Sequence, residues 1–566
     1  MIFFTRRVAM AYVSALFVNF ALIALKTINI NIYKLFEMPR KHFLAIAGIA
    51  ASCAAFAANP ILPLWEHIPD GEPYVFEDPD APGKYRVYLY GSHDNLITEY
   101  CGRDQVVWSA PLEDLNNWRC DGIIFESRRD RDGALLYANG QGDVLFAPDV
   151  TLVTEADGSK TYYLYPNNQA YGRNGMVARS KRPDGPFEVC NWSGSESREC
   201  DGVLRFDPAV FVDDDGRVYG YWGFERSYGA ELDPATMATV KPGAEIVEDL
   251  VSGRDQEGEF RFFEASSMRK IKDKYVFVYS RWTKEGEFGM PQTNYTLAYA
   301  YGDSPLGPFT YGGTIIDGRG RKTLSDGSTV YTAHPAGNTH GSICEIDGKW
   351  YVFYHRQTGT TEYARQAMVA PIEIKVAEGA GGKVEISEAE FTSEGFETAG
   401  LDPFERRSAG IACYYTHPEG ASQSYPRYFF KGSYVETSRP KIEQGDKSYD
   451  LRVNHSPVVN NTSGSVVGYK YFNFDGLASS SKPGLDVNLT PAGIDGDITV
   501  RIDDPDKGQV VGRIHVAASQ KQEAENVHIA LSGMKNVRGK HALYFVFEAD
   551  TPGKSVCTLN NFVFTR

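Results

Sequence analysis

Three features that would point to other classes of protein are missing from this chain. Basic residues are not in excess: 58 Lys and Arg face 73 Asp and Glu, for a formal net charge of −15. An acidic chain repels phosphate backbones, which argues against nucleic acid as a partner. None of the eight cysteines forms a Cys-x-x-Cys or Cys/His pattern, so no structural zinc site is expected. Residues 427–566 also lack helical periodicity, which argues against a helical domain in that part of the chain.

Long apolar runs are confined to the first 58 residues. Val8 to Leu25 is long enough to be a transmembrane candidate. From Met38 a second pattern follows, with basic residues, an apolar stretch and small residues ending at Ala57, which is the order of a signal peptide. We expect Met38 to be the initiator, cleavage near Ala57–Ala58, and export to the periplasm or the extracellular space. A membrane anchor is the alternative.

Two pairs of cysteines each flank a loop. Cys190 and Cys200 flank a short loop, and Cys101 and Cys120 flank a longer one. Either pair could form a disulfide in an oxidising compartment.

Aromatic residues and glycine are abundant, with 34 Tyr, 32 Phe and 55 Gly. This composition favours an all-β protein with many turns. A turn followed by a Tyr-rich strand recurs five times, and the turns start at positions 83, 157, 215, 272 and 347. Repeats of this length built from strand–turn–strand units predict a five-bladed β-propeller, which we place at residues 59–397.

A polar residue precedes each of the five turns. These residues are Asp70, Asp149, Asp207, Glu264 and His340. The first strand of each propeller blade lines the central channel, so the repeat aims four carboxylates and one imidazole at a common axis. Because desolvating charges is costly, such a gathering indicates a functional site.

Hydrolysis of a glycosidic bond requires at least two carboxyl groups across a gap that fits a sugar. One protonates the leaving oxygen, and the other activates water or attacks the anomeric carbon. A third carboxylate can raise the pKa of the acid by like-charge repulsion. Asp70, Asp207 and Glu264 would supply this trio. Asp149 is either a substrate contact or a tie for its own strand. Among the aromatic residues beside these motifs, most of which should be core, Trp222 is the best candidate for a sugar-binding side chain.

Residues 59–375 resemble glycoside hydrolase family 43. The motifs that carry the resemblance are Ile68-Pro-Asp-Gly-Glu-Pro73, Phe146-Ala-Pro-Asp-Val150, Phe206-Asp-Pro-Ala-Val210, Phe263-Glu-Ala-Ser-Ser267 and Thr339-His-Gly-Ser342. The resemblance implies a five-bladed propeller that inverts stereochemistry. It also implies Asp70 as general base, Glu264 as general acid, and Asp207 as the residue that tunes and orients the acid.

The resemblance also bears on calcium binding, and this sequence departs from the family pattern at two motifs. Family members often carry calcium or a water cluster near an axial His, so His340 is a candidate calcium ligand acting through waters. No organic cofactor is expected. Asp70 is followed by Gly-Glu-Pro rather than by the family's more usual Asp-Pro opening, which makes Glu72 a rival base. Glu264 is followed by Ala-Ser instead of Gly-Pro, which leaves the substrate open.

The C-terminal part of the chain has a different pattern of polar and apolar residues. Residues 398–426 show weak periodicity and are interpreted as a connector. Short alternating strands in residues 427–566 predict a β-sandwich. This block resembles a family 6 carbohydrate-binding module, a jelly-roll fold that often holds a structural calcium.

The expected function is therefore an exported inverting glycoside hydrolase. It would release arabinofuranosyl or xylosyl residues from plant cell-wall polysaccharide or oligosaccharide, with no protein partner implied. The alternatives are an endo-arabinanase, a galactosidase of the same family, and a non-catalytic carbohydrate-binding protein.

Overall fold

The computed structural model describes residues 58–127, 142–324, 326–335, 337–439, 455–519 and 521–566. The expected signal segment therefore lies outside the described residues, apart from Ala58. Within the described part, no helix combines the length and apolar character that crossing a membrane requires. Its helices are α1 (Asp475–Ala478) and the single 3-10 turns Glu287–Gly289, Ala409–Ile411 and Met534–Asn536.

Five antiparallel sheets follow one another along the chain, each built from consecutive strands. They are the blades of the five-bladed propeller that the repeat predicts, and the fold is all-β. The first four blades have four strands and the fifth has three. The first blade consists of β1 (Glu72–Glu77), β2 (Tyr85–Tyr90), β3 (Asp104–Pro111) and β4 (Arg119–Glu126), and the second of β5 (Asp149–Thr154), β6 (Lys160–Tyr165), β7 (Ala178–Ser180) and β8 (Glu188–Val189). The third consists of β9 (Ala209–Val212), β10 (Val218–Trp222), β11 (Tyr228–Leu232) and β12 (Val247–Glu248), and the fourth of β13 (Phe262–Ile271), β14 (Lys274–Arg281), β15 (Thr296–Gly302) and β16 (Thr310–Asp317). The fifth consists of β19 (Ser342–Ile346), β20 (Lys349–Gln357) and β21 (Arg365–Ile372). A short ribbon, β17 (Lys322–Thr323) and β18 (Thr329–Val330), lies between the fourth and fifth blades in the chain.

The Tyr-rich strands are apolar on both faces because each blade is packed between two others. Side chains alternate across a strand, so Val87 and Leu89 of β2 pack toward the fifth blade. Tyr88 and Tyr90 of the same strand pack toward the second blade. Separate clusters of buried apolar residues fill the gaps between the other consecutive blades.

The first described residues help to join the two ends of the ring. The Asn59 side chain donates to the carbonyls of Val369 and Thr392, at 2.7 and 3.0 Å. Ile61 N–H donates to the Ala367 carbonyl in β21. Gly71 and Gly341 form a parallel bridge between the first and fifth blades. The segment around Asn59 and Ile61 therefore runs beside the three-stranded blade and covers its edge.

The remaining strands are β22 (Ile374–Val376), β23 (Val384–Ile386), β24 (Arg407–Ser408), β25 (Tyr414–Thr416), β26 (Ala421–Ser424), β27 (Arg427–Phe430), β28 (Tyr434–Val435), β29 (Val458–Val459), β30 (Val466–Asn473), β31 (Gly484–Pro491), β32 (Gly496–Ile502), β33 (Gln509–Val516), β34 (Glu525–Ala530), β35 (Lys540–Glu548) and β36 (Cys557–Thr565). The C-terminal part is a sandwich of two antiparallel sheets, with strand orders β28-β29-β36-β31-β34 and β25-β30-β35-β32-β33. Residues 407–416 differ from the expected connector, since β24 pairs with β36 and β25 with β30. These strands have two and three residues, too short to show periodicity in the sequence.

Candidate active site

A cavity of about 530 Å³ lies where several inner strands of the propeller begin. Asp70, Asp207 and Glu264 all line it. The three side chains belong to the first, third and fourth blades and are almost completely buried. The volume falls within the range of about 300–1,000 Å³ that is usual for small-molecule sites. The structure thus brings together the three carboxylates that the sequence spacing selected.

Asp70 and Asp207 reach the cavity through the same local backbone geometry. Each lies two residues before the inner strand of its blade. Their φ angles are 59° and 43°, in the left-handed region. Among residues with a side chain, Asp and Asn adopt this conformation most readily. Backbone of this kind is concentrated at functional sites.

The Asp70 carboxylate is held by hydrogen bonds on both oxygens. Oδ1 accepts from Arg365 Nη1 at 2.9 Å, and Oδ2 accepts from Ser92 Oγ at 2.5 Å. The Asp70 backbone N–H donates to His355 Nδ1 at 3.3 Å, and His355 Nε2 lies 2.7 Å from the Asn338 carbonyl. His355 is therefore the neutral tautomer with its proton on Nε2.

The charge of Asp70 follows from these contacts. Burial acts to raise its pKa, but the positive charge of Arg365 and the Ser92 hydrogen bond outweigh burial and hold the pKa below its ordinary value. Asp70 is therefore ionised at neutral pH, the state that a general base requires.

The pKa values of Asp207 and Glu264 are both raised. Asp207 Oδ1 accepts from Asn167 Nδ2 at 2.8 Å, and its Oδ2 accepts from the Ala265 N–H at 3.2 Å, which favours the ionised form. Burial and the neighbouring charge of Asp70 outweigh these bonds and raise the pKa of Asp207 to about 7. Burial, then Asp207 and then Asp70, raise the pKa of Glu264 well above its ordinary value.

One cavity thus presents an ionised carboxylate and a protonated carboxylic acid at neutral pH. Two carboxyl groups with opposite pKa shifts are the arrangement that general acid–base hydrolysis of a glycosidic bond uses.

Comparison with known proteins agrees with this chemistry. Residues 73–378 match the profile of glycosyl hydrolases family 43. The chain belongs to this family. It is a glycosidase, and its residues 433–566 match the profile of the carbohydrate-binding module (family 6).

Individual relatives of this family 43 chain are similar over different lengths. A xylosidase/arabinosidase of Thermoclostridium stercorarium is 31% identical over 512 residues, covering 86% of this chain and 95% of that protein. Xylosidase/arabinosidase 43A of Humicola insolens is 34% identical over 315 residues, covering 48% and 84%. A crystal structure of a family 43 arabinoxylan arabinofuranohydrolase from Bacillus subtilis, in complex with cellotetraose, superimposes with a TM-score of 0.40 and 21% identity. That superposition covers 90% of this chain and 97% of the other.

Asp149 does not line the cavity of this family 43 domain. It is the first residue of β5 and fully buried. Its Oδ1 accepts from Tyr74 Oη at 2.6 Å and from Val150 N–H at 2.8 Å, and its Oδ2 accepts from Val210 N–H at 2.7 Å. Because these bonds join the first three blades, Asp149 ties strands together and is not the substrate contact considered from the sequence.

Trp222 does not line the cavity either. It is buried in the cluster between the second and third blades and stacks on Tyr228, with ring centroids 5.7 Å apart. The aromatic wall of the cavity is formed instead by a chain of rings with successive centroids 5.0–5.3 Å apart. These rings are Phe206, Phe224, Phe263 and Trp282.

The rival base, Glu72, lies outside the cavity lining. Its Oε2 accepts from Arg269 Nη2 at 2.8 Å and from Ser267 Oγ at 3.3 Å. Although burial raises its pKa to about 7, this carboxyl group is committed to Arg269. The geometry therefore favours Asp70 over Glu72 as the base.

His340 lines the cavity beside Asp207, with Nδ1 3.5 Å from Oδ2. Burial lowers the pKa of His340 to about 4, so the ring is neutral. Calcium prefers six to eight oxygen ligands. Within the described ranges, no group of three or more His, Cys, Asp or Glu side chains could hold a metal ion. These side chains do not by themselves form a calcium site. The calcium ion expected at His340 through waters stays a prediction, and the chemistry proposed below uses no metal ion.

Several residues of the site were missed from the sequence. Arg365 and His355 come from the fifth blade and Ser92 from the loop after β2, where no repeated motif marks them. Cys101 is a free cysteine, and its Sγ accepts from Arg365 Nη2 at 3.4 Å. Cys190 is also free. The two disulfides considered from the spacing are therefore absent from the described residues.

Proposed function

We propose that this chain is an inverting glycosidase that releases arabinofuranosyl or xylosyl units from plant cell-wall polysaccharide. Its relatives named xylosidase/arabinosidase support this substrate class, the first of them along most of both chains. The match of residues 433–566 to a carbohydrate-binding module supports a polymeric substrate.

In this mechanism Asp70 removes a proton from a water molecule as the water attacks the anomeric carbon. Glu264 donates its proton to the glycosidic oxygen, so that the leaving sugar departs as a neutral alcohol. Asp207 keeps Glu264 protonated through like-charge repulsion. Attack and departure on opposite faces of the sugar ring invert the anomeric configuration.

One observation carries this proposal: Asp70 and Glu264 face the same cavity with pKa values moved in opposite directions. A non-catalytic sugar-binding protein has no need for a carboxyl group that keeps its proton because of burial and two neighbouring carboxylates, since such groups cost stability.

The test is hydrolysis of nitrophenyl arabinofuranoside, xyloside and galactoside, and of arabinoxylan oligosaccharides, by residues 58–566. Glu264→Gln should lower kcat on the oligosaccharide at least about 100-fold, the usual scale of general acid catalysis. It should lower kcat less on nitrophenyl substrates, whose leaving groups need little protonation. Glu345→Gln, an exposed glutamate in β19, is the control.

The stereochemical course is measured separately by proton NMR of the first product formed. Inversion supports Asp70 acting through water, whereas retention would require a covalent intermediate and overturn that role. Activity on none of the arabinosyl or xylosyl substrates would overturn the proposed specificity.

We also infer that the protein is exported, on the strength of the signal-peptide pattern from Met38 to Ala57. N-terminal sequencing of the mature protein from its native host should find a start near Ala58. A start at Met1 or Met38 would contradict cleavage.

A further inference from the structure

The catalytic cavity has a wall that does not come from the propeller. The hairpin of β26 and β27, residues 421–430, reaches back from the C-terminal part of the chain to the loop between β20 and β21. Thr361 and Arg427 form an antiparallel bridge. Tyr428 N–H donates to the Thr360 carbonyl at 2.9 Å, and Glu362 N–H donates to the Pro426 carbonyl at 3.1 Å.

Glu362 anchors this hairpin to the first blade as well. Its side chain is buried, and its carboxylate accepts from Tyr100 Oη, from Gln423 Nε2 and, at 3.2 Å, from Tyr428 Oη. Tyr100 lies in the loop between β2 and β3, and the Arg365 guanidinium lies 4.9 Å from the centre of its ring. The hairpin is thus fastened to the residues that hold the proposed base.

Tyr425, at the turn of the hairpin, lines the cavity together with Gln423. Its exposed fraction is 69%, against 3% for Asp70 at the bottom of the same cavity. A large aromatic side chain left in solvent at the rim of a site is a ready stacking surface for the apolar face of a sugar ring.

We propose that the hairpin forms a subsite for the leaving-group side of the substrate, with Tyr425 as the platform on which the first sugar beyond the scissile bond stacks. The released unit must lie beside the buried carboxylates, so the rest of the polysaccharide passes the exposed rim. This assignment rests on the proposed function and adds a specificity-determining residue to it. It also makes the hairpin, residues 421–430, part of the catalytic unit.

The experiment compares Tyr425→Ala, Tyr425→Phe and Phe429→Ala in the full chain. Phe429 is the matched control, because it lies on the same hairpin, is 54% exposed and does not line the cavity. Two quantities are measured: kcat/KM on an arabinoxylan oligosaccharide, and the inhibition constant of free arabinose, the sugar released from that substrate.

Tyr425→Ala should lower kcat/KM on the oligosaccharide about tenfold, mainly through KM, as truncation of an aromatic anchor does. The monosaccharide inhibition constant should change by less than about twofold, since the inner position is untouched. Tyr425→Phe should retain activity because it keeps the ring, and Phe429→Ala should match the wild type. Equal kcat/KM for Tyr425→Ala and Phe429→Ala would overturn the subsite while leaving the proposed function intact.

Calorimetric titration of the oligosaccharide into Glu264→Gln, with and without Tyr425→Ala, tests the subsite independently of turnover. If the wild type hydrolyses no substrate but Tyr425→Ala weakens this binding, the subsite stands and the proposed function falls. If Tyr425→Ala binds as tightly as its parent, the subsite is overturned. No binding to the parent protein would also overturn the subsite, while the proposed function is decided by hydrolysis with the wild type.

Discussion

Arg365 holds Asp70 and Asp94 at once. Its Nη1 donates to Asp70 Oδ1 at 2.9 Å, while its Nε and Nη2 donate to the two oxygens of Asp94 at 2.9 and 3.0 Å. All three side chains are almost completely buried. Asp94 therefore fixes the orientation of the guanidinium group. The guanidinium group in turn orients the Asp70 carboxylate and keeps it ionised.

Arg365→Lys should impair the proposed base, Asp70, without removing the positive charge beside it. A lysine cannot bind two carboxylates in this fork, so Asp70 loses orientation and part of the interaction that lowers its pKa. We expect kcat to fall up to about 100-fold, as a misplaced catalytic group does. We also expect the acidic limb of the pH–rate profile to move to higher pH. Steady-state rates from pH 3 to 9 measure both.

Arg319→Lys is the matched control for this change. Arg319 is equally buried and binds Asp317 through Nε and Nη2 at 2.9 and 2.7 Å, outside the cavity lining. It should lower the melting temperature and leave the pH–rate profile unchanged. A profile for Arg365→Lys that coincides with the wild type would show that Arg365 has a structural role only.

Asp207→Asn should move the opposite limb of the same profile. After burial, the charge of Asp207 contributes most to the raised pKa of Glu264, so its removal lowers that pKa and Glu264 loses its proton at lower pH. The alkaline limb should shift to lower pH, and the rate at pH 7 should fall at least about tenfold. Asp213→Asn, which changes a buried carboxylate paired with Lys270, should not shift it. An unshifted alkaline limb in Asp207→Asn would exclude the tuning role.

The propeller could be predicted because its signal is local. Each blade repeats a turn and a Tyr-rich strand within a short segment, and both faces of the strand are buried against other blades. The same register selected Asp70, Asp207 and Glu264 correctly for the cavity. It failed for Asp149, because spacing does not show that Asp149 starts a strand whereas Asp207 precedes one with a left-handed backbone.

Residues supplied from distant parts of the chain could not be predicted in this way. Arg365 meets Asp70 across 295 positions, and Gln423 meets Glu362 only when the C-terminal hairpin folds back onto the fifth blade. The hairpin lies in and beside the segment interpreted as a connector, where strands of four residues gave no periodic pattern. Long-range contacts of this kind leave no trace in a single sequence.

Glu264→Gln should stabilise the folded protein, and more so at higher pH. The pKa of Glu264 is raised on folding, so between its ordinary value near 4.5 and its folded value the unfolded chain is ionised while the folded chain retains the proton. Wild-type stability therefore falls as pH rises through this window. Glutamine does not titrate and escapes the loss, which we expect to be worth about 1 kcal/mol or more.

The measurement for Glu264→Gln is the melting temperature of variant and wild type at pH 5 and pH 8. The difference between the two proteins should be larger at pH 8. Glu345→Gln should show no such growth, since this glutamate is exposed in both states. A difference that is the same at both pH values would mean that Glu264 is not held protonated by the fold.

Asp149→Asn should cost stability and spare catalysis. The Asp149 carboxylate accepts three hydrogen bonds from residues of the first three blades, whereas an amide offers one accepting oxygen and turns its NH₂ toward N–H donors. The free energy of unfolding should fall by about 1–3 kcal/mol, the cost of leaving buried partners unsatisfied.

Asp157→Asn, in the exposed turn of the same hairpin, should stay within about 0.5 kcal/mol of the wild type. Urea denaturation gives these free energies of unfolding. The KM of both variants should equal that of the wild type. A rise in KM for Asp149→Asn alone, at a temperature where it is fully folded, would return Asp149 to the substrate site and contradict its assignment as a tie between blades.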